Sequence, residues 1–280
     1  MSSGLTSEPL NDEQITAYRD DGWIAPIDVL TEAEAAELLA ELEAAEHRHP
    51  ADLHAENRNN AHLVLPFLGD LAADARVVDR VAQLVGDDIS LWSSVIFAKD
   101  PESAGFVSWH QDAFYMALEP ANFVTAWIAL TPSTRESGCV SVIPGSHRRI
   151  IEHEDTFGED NILTRGQTVS SVDSRGAVDL VLRPGQMSLH HPWLIHGSQP
   201  NRSSFRRVGI AMQSYLGADV RPTRGDHVVA PIRGATPPEV FTTVSLPDTE
   251  MHPRSVEARR AANDAFASIL YDGAERQRAF

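Results

Sequence analysis

A single cysteine, Cys139, stands in a chain of 280 residues. An intramolecular disulfide and any cysteine-based zinc site are thereby excluded, and the chain suits a reducing compartment. Basic residues are also scarce: 23 Lys and Arg against 40 Asp and Glu leave a formal charge of -17. Nucleic-acid binding needs clustered cations that displace counterions from phosphates, and anionic membranes select for similar clusters, so neither partner is expected. A small-molecule substrate is the easier expectation. No hydrophobic run approaches the length of a membrane span, and Met1 to Gly4 starts no basic-then-apolar leader, so the expected location is cytoplasmic. Internal repeats and low-complexity linkers are absent too, and residues 1–280 read as one domain with enough apolar residues, 42%, for a substantial core.

What is present begins with helix signals. Asn11 with Gln14, and Thr31 with Glu34, have the capping-box spacing that satisfies the first orphan amides of a helix. They predict one helix stopping near Gly22 and a second through residues 32–46. Val77, Val78, Val81, Leu84 and Val85 recur at helical spacing, with Gly86 as the stop. Residues 1–88 are thus expected to form a helical lead-in. Inside it, residues 47–62 hold His47, His49, His54 and His62 among Asn57, Asn59 and Asn60. Their irregular spacing predicts a mobile polar loop, able to close over a site, rather than a metal-binding tract.

From Ile89 onward β-formers replace helical periodicity. Strands are expected at 90–98, 107–112, 123–130, 139–143, 178–182, 186–191 and 206–216, with turns at Gly138, Pro144-Gly145-Ser146 and Pro184-Gly185. Many short strands with such punctuation predict a sandwich or barrel over about 89–216. Residues 217–252, rich in Pro, Gly and Thr, read as irregular, and Ser255 to Leu270 reads as a closing helix.

The chemistry centres on Trp109-His110-Gln111-Asp112. On a strand, alternate side chains share a face, so His110 and Asp112 are expected to project together while Gln111 points away. An imidazole and a carboxylate so placed, with one further histidine, make a two-His, one-carboxylate facial site of the kind used by non-heme Fe(II) oxygenases. His190, His191 and His196 are the candidates for the third ligand. His196 is followed by Ser198 and, eleven residues on, by Arg207. Strand parity puts Arg207, Gly209, Ala211 and Gln213 on one face, leaving space beside the guanidinium, with Val208, Ile210 and Met212 on the other and Arg206 turned away. Thr125 and Trp127 likewise share a face opposite Val124, Ala126 and Ile128.

Four segments in this order resemble the phytanoyl-CoA dioxygenase-like branch of the Fe(II)/2-oxoglutarate oxygenases. They are Trp109 to Asp112, Val124-Thr125-Ala126-Trp127-Ile128-Ala129-Leu130, Gly138-Cys139-Val140-Ser141-Val142-Ile143-Pro144-Gly145-Ser146-His147, and His196 through Arg207. The resemblance implies a mainly β fold, a double-stranded β-helix (a cupin-like jelly roll) with flanking N- and C-terminal α-helices. It also implies Fe(II) held by His110, Asp112 and His196, with 2-oxoglutarate and O2 as cosubstrates. Arg207 then matches the arginine that grips the distal carboxylate of 2-oxoglutarate, Ser198 a hydroxyl bonding the same carboxylate, and Thr125 and Trp127 positions lining the cosubstrate pocket.

The activity so implied is hydroxylation of an unactivated C–H bond of a small molecule or natural-product intermediate, with succinate and CO2 as coproducts. Halogenating relatives replace the carboxylate ligand by a small residue, so Asp112 favours oxygen transfer. Desaturation, epimerisation or cyclisation would use the same ligands. A zinc hydrolase or a non-catalytic metal-binding barrel would keep the triad but needs neither Arg207 nor Ser198. Candidate substrate contacts are Phe114, Tyr115 and Met116 after the metal motif, Trp92 and Lys99 flanking it, and the loop around Asn57 to His62; the plain alternative for Lys99 is an exposed lysine. His147 reads as structural and Cys139 as a small buried hydrophobe.

Overall fold

A computed structural model describes residues 8–53, 58–169, 171–235 and 238–277. Both capping boxes form. Asn11 caps α1 (Asp12–Asp21), which Gly22 ends in the left-handed conformation, and Thr31 caps α2 (Glu32–Arg48). Between them lies β1 (Trp23–Asp28), and α3 (Pro66–Ala73) precedes the expected α4 (Ala75–Val85). The lead-in is therefore not purely helical. The strands that follow are β2 (Ile89–Lys99), β3 (Val107–His110), β4 (Phe123–Ala129), β5 (Val140–Val142), β6 (Val178–Leu180), β7 (Gln186–His190), β8 (His196–Ser198) and β9 (Arg207–Leu216). Residues 217–252 are not wholly irregular either, because β10 (Val228–Arg233) and β11 (Thr242–Thr243) fall inside them, before α5 (Pro253–Leu270).

Two sheets face each other. The larger has seven strands in the order β1-β7-β4-β9-β2-β10-β11, and the smaller has four in the order β3-β8-β5-β6. Every pairing among these strands is antiparallel except β10 with β11. This is the jelly-roll arrangement, with β1 and β10 recruited to the larger sheet from outside the expected β region.

Period-two alternation builds two cores, one on each side of the larger sheet. Val124, Ala126 and Ile128 of β4, with Val208, Ile210 and Met212 of β9, face outward onto Leu42, Leu65, Leu68 and Val81 from the helical segments. Trp127, Ala129 and Ala211 face inward onto Val140, Val142 and Leu180 of the smaller sheet. A register shift between Met212 and Tyr215 adds one residue to β9, with Ser214 at φ 69. The bulge shifts the alternation, so Tyr215 turns outward, where its hydroxyl donates to the Ala72 carbonyl at 2.9 Å.

No helix among the described residues is long and apolar enough to cross a membrane.

Candidate functional site

His110 and His196 are direct cross-strand partners in the β3–β8 pair, and their ring centroids lie 4.2 Å apart. Each imidazole is oriented by its own backbone. His110 Nδ1 is 2.9 Å from the Ser108 carbonyl and His196 Nδ1 is 3.0 Å from the Leu194 carbonyl. A carbonyl only accepts, so in the neutral rings Nδ1 carries the proton and Nε2 presents its lone pair inward.

Asp112 reaches the same point by a route the strand alternation does not describe. β3 ends at His110, and Asp112 opens a 3-10 turn (Asp112–Tyr115), in which the Ala113 amide donates to the Pro192 carbonyl at 3.0 Å. The intervening Gln111 fixes that departure. Fully buried, it donates to the carbonyls of Arg149 (2.8 Å) and Trp193 (2.6 Å) and accepts from the Ile151 amide (2.9 Å). Asp112 Oδ1 then lies 3.2 Å from His110 Nε2 and 3.8 Å from His196 Nε2. One ligand atom from each of the three residues falls within 4.8 Å of the others, a group able to hold a metal ion.

The electrostatics suit a cation. Burial alone would raise the Asp112 carboxyl, but the charges of His196 and His110 and the His110 hydrogen bond hold it at about 2. Burial, with His110 alongside, pushes His196 down to about 4. Near neutral pH the pair therefore offers a carboxylate and a neutral imidazole, the forms a metal requires.

From the triad a narrow chamber runs inward past Thr125, Trp127, His190 and Ser198 to Arg207. Arg207 is 1% exposed, donates from one terminal nitrogen to the Gly138 carbonyl at 2.8 Å, and lies with its guanidinium 5.3 Å over the Trp127 ring. Its Nε has no hydrogen-bond partner. The expected free space beside Gly209 does not exist, because the Trp127 indole fills it: a Cβ built on Gly209 would fall 1.9 Å from Trp127 Cζ2. Arg206 points away, as parity requires, and binds Glu46 at 2.8 Å.

A second, wider cavity of about 480 Å³ opens from His110 and Asp112 in the other direction. Tyr115 and Met116 line it as expected, together with Arg58, Phe97, Ile162 and the α5 residues Phe266 and Leu270.

Three of the expected substrate contacts lie elsewhere. Trp92 is packed edge-on against Phe266 at 4.9 Å between ring centroids, in an apolar cluster with Met116 and Phe266, and does not itself line the cavity. Phe114 packs on His153 at 4.3 Å and edge-on against Tyr115 at 5.1 Å between ring centroids, and does not line the cavity. Lys99 is neither a cavity residue nor exposed. At 2% exposure it is buried behind Ser198, with Nζ 2.6 Å from the Ser198 hydroxyl.

Of the polar loop, His54 and Asn57 lie outside the described residues. Arg58 and Asn59 line the wide cavity, while Asn60 and His62 are fixed rather than mobile: the Asn60 amide donates to the Ser94 carbonyl at 2.7 Å, and His62 Nδ1 is 2.7 Å from Ser94 Oγ. His147 is 3.1 Å from the Arg19 carbonyl, and Cys139 is buried.

The hydrogen bonds that hold the Asp112 carboxylate were not legible in the sequence. Gln213, noted only for its face, donates to Asp112 Oδ1 at 3.4 Å, and the Thr125 hydroxyl donates to Oδ2 at 3.5 Å. His190, weighed as a ligand, instead lines the chamber with a buried Nε2 that has no partner, its ring 5.7 Å from that of His196. Its parity with Ser188 on β7 was readable, but its neighbours on other strands were not.

A sequence model of the phytanoyl-CoA dioxygenase (PhyH) family matches residues 18–209. A curated protein of Stutzerimonas stutzeri described as a probable alpha-ketoglutarate-dependent hypophosphite dioxygenase is 30% identical over 169 residues, 59% of this chain and 58% of that protein. Peroxisomal phytanoyl-CoA dioxygenase of Bos taurus is 32% identical over 143 residues, 48% of this chain and 42% of that protein. The chain thus spans about half the length of the curated relatives it matches. Among solved structures, the apo form of a non-heme monooxygenase, ThoJ, superposes with a TM-score of 0.82 at 27% identity, covering 92% of this chain and 98% of that one. The non-heme alpha-ketoglutarate-dependent carbocyclase SnoK superposes at 0.63 with 25% identity, covering 79% and 89%.

Proposed function

Because the chain belongs to the phytanoyl-CoA dioxygenase family, we propose that it is an Fe(II)- and 2-oxoglutarate-dependent dioxygenase that hydroxylates an unactivated C–H bond of a small molecule. The observation that carries this reading is a pair of adjoining cavities that share His110 and Asp112 of the triad, the narrower one lined at its inner end by a buried, partly unpartnered arginine. A bare metal site needs no such arginine. The orphaned Nε of Arg207 fits an incoming carboxylate, which would accept the hydrogen bond that the protein leaves unmade.

In this reading His110, Asp112 and His196 hold Fe(II), and Arg207 with Ser198 receives the distal carboxylate of 2-oxoglutarate. When bound, the iron and its cosubstrate supply the oxidising chemistry, with succinate and CO2 as coproducts. The protein's own share is orientation. Gln213 and Thr125 bond the two Asp112 oxygens and restrict rotation of that carboxylate. The Ser108 and Leu194 carbonyls keep the imidazole protons off Nε2. The Trp127 indole walls the inner chamber and confines the cosubstrate to one path. The wide cavity, lined by Phe97, Tyr115, Met116, Phe266 and Leu270, takes the substrate and brings one C–H bond toward the metal face.

The likeness to a monooxygenase at 27% identity supports oxygen insertion. The likeness to a carbocyclase at 25% identity supports cyclisation as the second reading, with the same ligands.

The test is anaerobic addition of Fe(II) and 2-oxoglutarate to the purified protein, watching for the weak visible charge-transfer band of the chelate. A substrate panel scored for succinate above the uncoupled background, with ¹⁸O2 labelling of product, follows. No band, with activity supported by zinc alone, would replace this reading by a hydrolase. Oxidised product without label from O2 would exclude hydroxylation.

A further inference from the structure

Lys99 and Arg207 are direct cross-strand partners on β2 and β9, and both are almost completely buried. Like charges placed opposite each other on one face of a sheet repel, and burial strips the water that would screen them. Among the described residues no carboxylate pairs with either one. The Lys99 ammonium meets only the Ser198 hydroxyl and the Ser198 and Gln199 carbonyls, and Arg207 meets only the Gly138 carbonyl and the Trp127 ring. Two desolvated basic groups side by side with no anion are a costly arrangement for a core strand pair, and the missing partner is an anion between them and the metal.

Resting on the function proposed above, we propose that Lys99 is a positioning residue of the cosubstrate subsite, acting on the distal carboxylate of 2-oxoglutarate through the Ser198 hydroxyl. Lys99 does not line the chamber, whereas Ser198 and Arg207 do. An ammonium that donates to Ser198 Oγ occupies the oxygen's acceptor side, so the hydroxyl hydrogen is left to point into the chamber at the carboxylate. The same ammonium holds the Ser198 and Gln199 carbonyls and fixes the backbone that carries Ser198. The carboxylate therefore meets a fork from Arg207 on one side and a charge-polarised hydroxyl on the other.

The state of Lys99 agrees with this role. Burial, with Arg207 alongside, pushes its ammonium down to about 6. An anion arriving at Ser198 and Arg207 draws a proton from solvent back onto Lys99, so the second charge is present when the carboxylate is.

The experiment is calorimetric titration of the Ni(II)-loaded full chain with 2-oxoglutarate for wild type, Lys99→Met, Ser198→Ala and the double variant. Met keeps the length of the side chain and removes the charge. Loss of a charge-assisted contact predicts a Kd raised roughly 10- to 100-fold in Lys99→Met. In the Ser198→Ala background the same change adds less than about threefold, because the route is already broken. Thermal melting of the Ni(II)-loaded protein without 2-oxoglutarate separates this from a scaffold role: Lys99→Met melts no lower than wild type, since it removes a buried basic group that has no anionic partner in that state.

Wild-type affinity in Lys99→Met, or an undiminished penalty in the Ser198→Ala background, overturns the assignment. If wild type itself binds no 2-oxoglutarate, the proposed function falls first and takes this role with it. Should Lys99→Met fail to fold, the assignment is contradicted on the melting criterion unless Lys99→Gln, which keeps one donor, folds and shows the Ser198-dependent loss.

Discussion

Gly209→Ala tests whether the inner chamber is built around one indole ring. The added Cβ would lie 1.9 Å from Trp127 Cζ2, 2.3 Å from Cη2 and 2.5 Å from Cε2. Carbon atoms at their optimum stand about 3.5–4.0 Å apart, so the ring edge must retreat by roughly 1.5 Å. Trp127 is 4% exposed and packed between the two sheets against Val140 and Ala211. Overpacking of this kind costs about 1–3 kcal/mol, and this overlap belongs at the upper end. For a chain of this size that lowers the melting temperature by roughly 2–6 °C. Circular dichroism melts of Gly209→Ala supply the number, and calorimetry with 2-oxoglutarate supplies its functional counterpart, because a displaced indole no longer lies over Arg207. Trp127→Phe, which deletes the clashing benzo edge, should recover much of the melting temperature in the double variant. A Gly209→Ala protein that melts within 1 °C of wild type and binds 2-oxoglutarate unchanged would refute the packing argument.

Asp112→Ala removes the anionic ligand, so the thermal stabilisation that Ni(II) or Fe(II) gives wild type, about 2.7 kcal/mol at a hundredfold excess over Kd, should vanish along with turnover; retained metal stabilisation would exclude Asp112 as a ligand. Arg207→Ala should raise the 2-oxoglutarate requirement at least roughly 30-fold while turnover at saturating cosubstrate changes much less; ordinary cosubstrate dependence in steady-state kinetics would remove Arg207 from the site. The metal-free protein should respond to pH through Lys99. Its folded pKa of about 6 lies below the usual 10.5, so the unfolded chain binds more protons between those values and this residue's contribution to stability rises with pH across that window. Urea midpoints should therefore climb less steeply above pH 6 in Lys99→Met, and parallel profiles for the two proteins would contradict the depressed pKa.

Much of the site was legible because strand parity needs only local sequence. Val124, Ala126 and Ile128 against Thr125 and Trp127, and Val208, Ile210 and Met212 against Arg207 and Gln213, separate outer core from chamber without any coordinates. The omissions have physical causes. β1 and β10 contain Pro26 and Pro231, which lack a ladder donor and read as breaks, yet β1 sits at the sheet edge and β10 is paired to β11 only at Val228 and Val229. The short α3 carries Gly69 at its centre and buries most of its residues, so it shows no amphipathic period. Asp112 leaves its strand because Gln111 is bonded to Arg149, Ile151 and Trp193, partners distant in sequence. Lys99 could not be placed for the same reason: its burial follows from pairing with Arg207 across two strands far apart in the chain.

The division of the interior into a narrow chamber and a wide cavity has a consequence for how such a scaffold diversifies. The chamber is furnished by Ser198 on β8 and by Thr125, Trp127 and Arg207 on β4 and β9, whose opposite faces are committed to packing. Much of the wide cavity's wall comes instead from Arg58 and Asn59, from the stretch holding Glu159, Asn161 and Ile162, and from Phe266 and Leu270 on the final helix. Those pieces can drift, lengthen or be transplanted from a relative while the triad and the chamber stay constant. Selection for a new molecule would then act on the periphery of the fold, and under the proposed function a chimera that exchanges only residues 158–164 and α5 should change the substrate accepted without changing the affinity for 2-oxoglutarate.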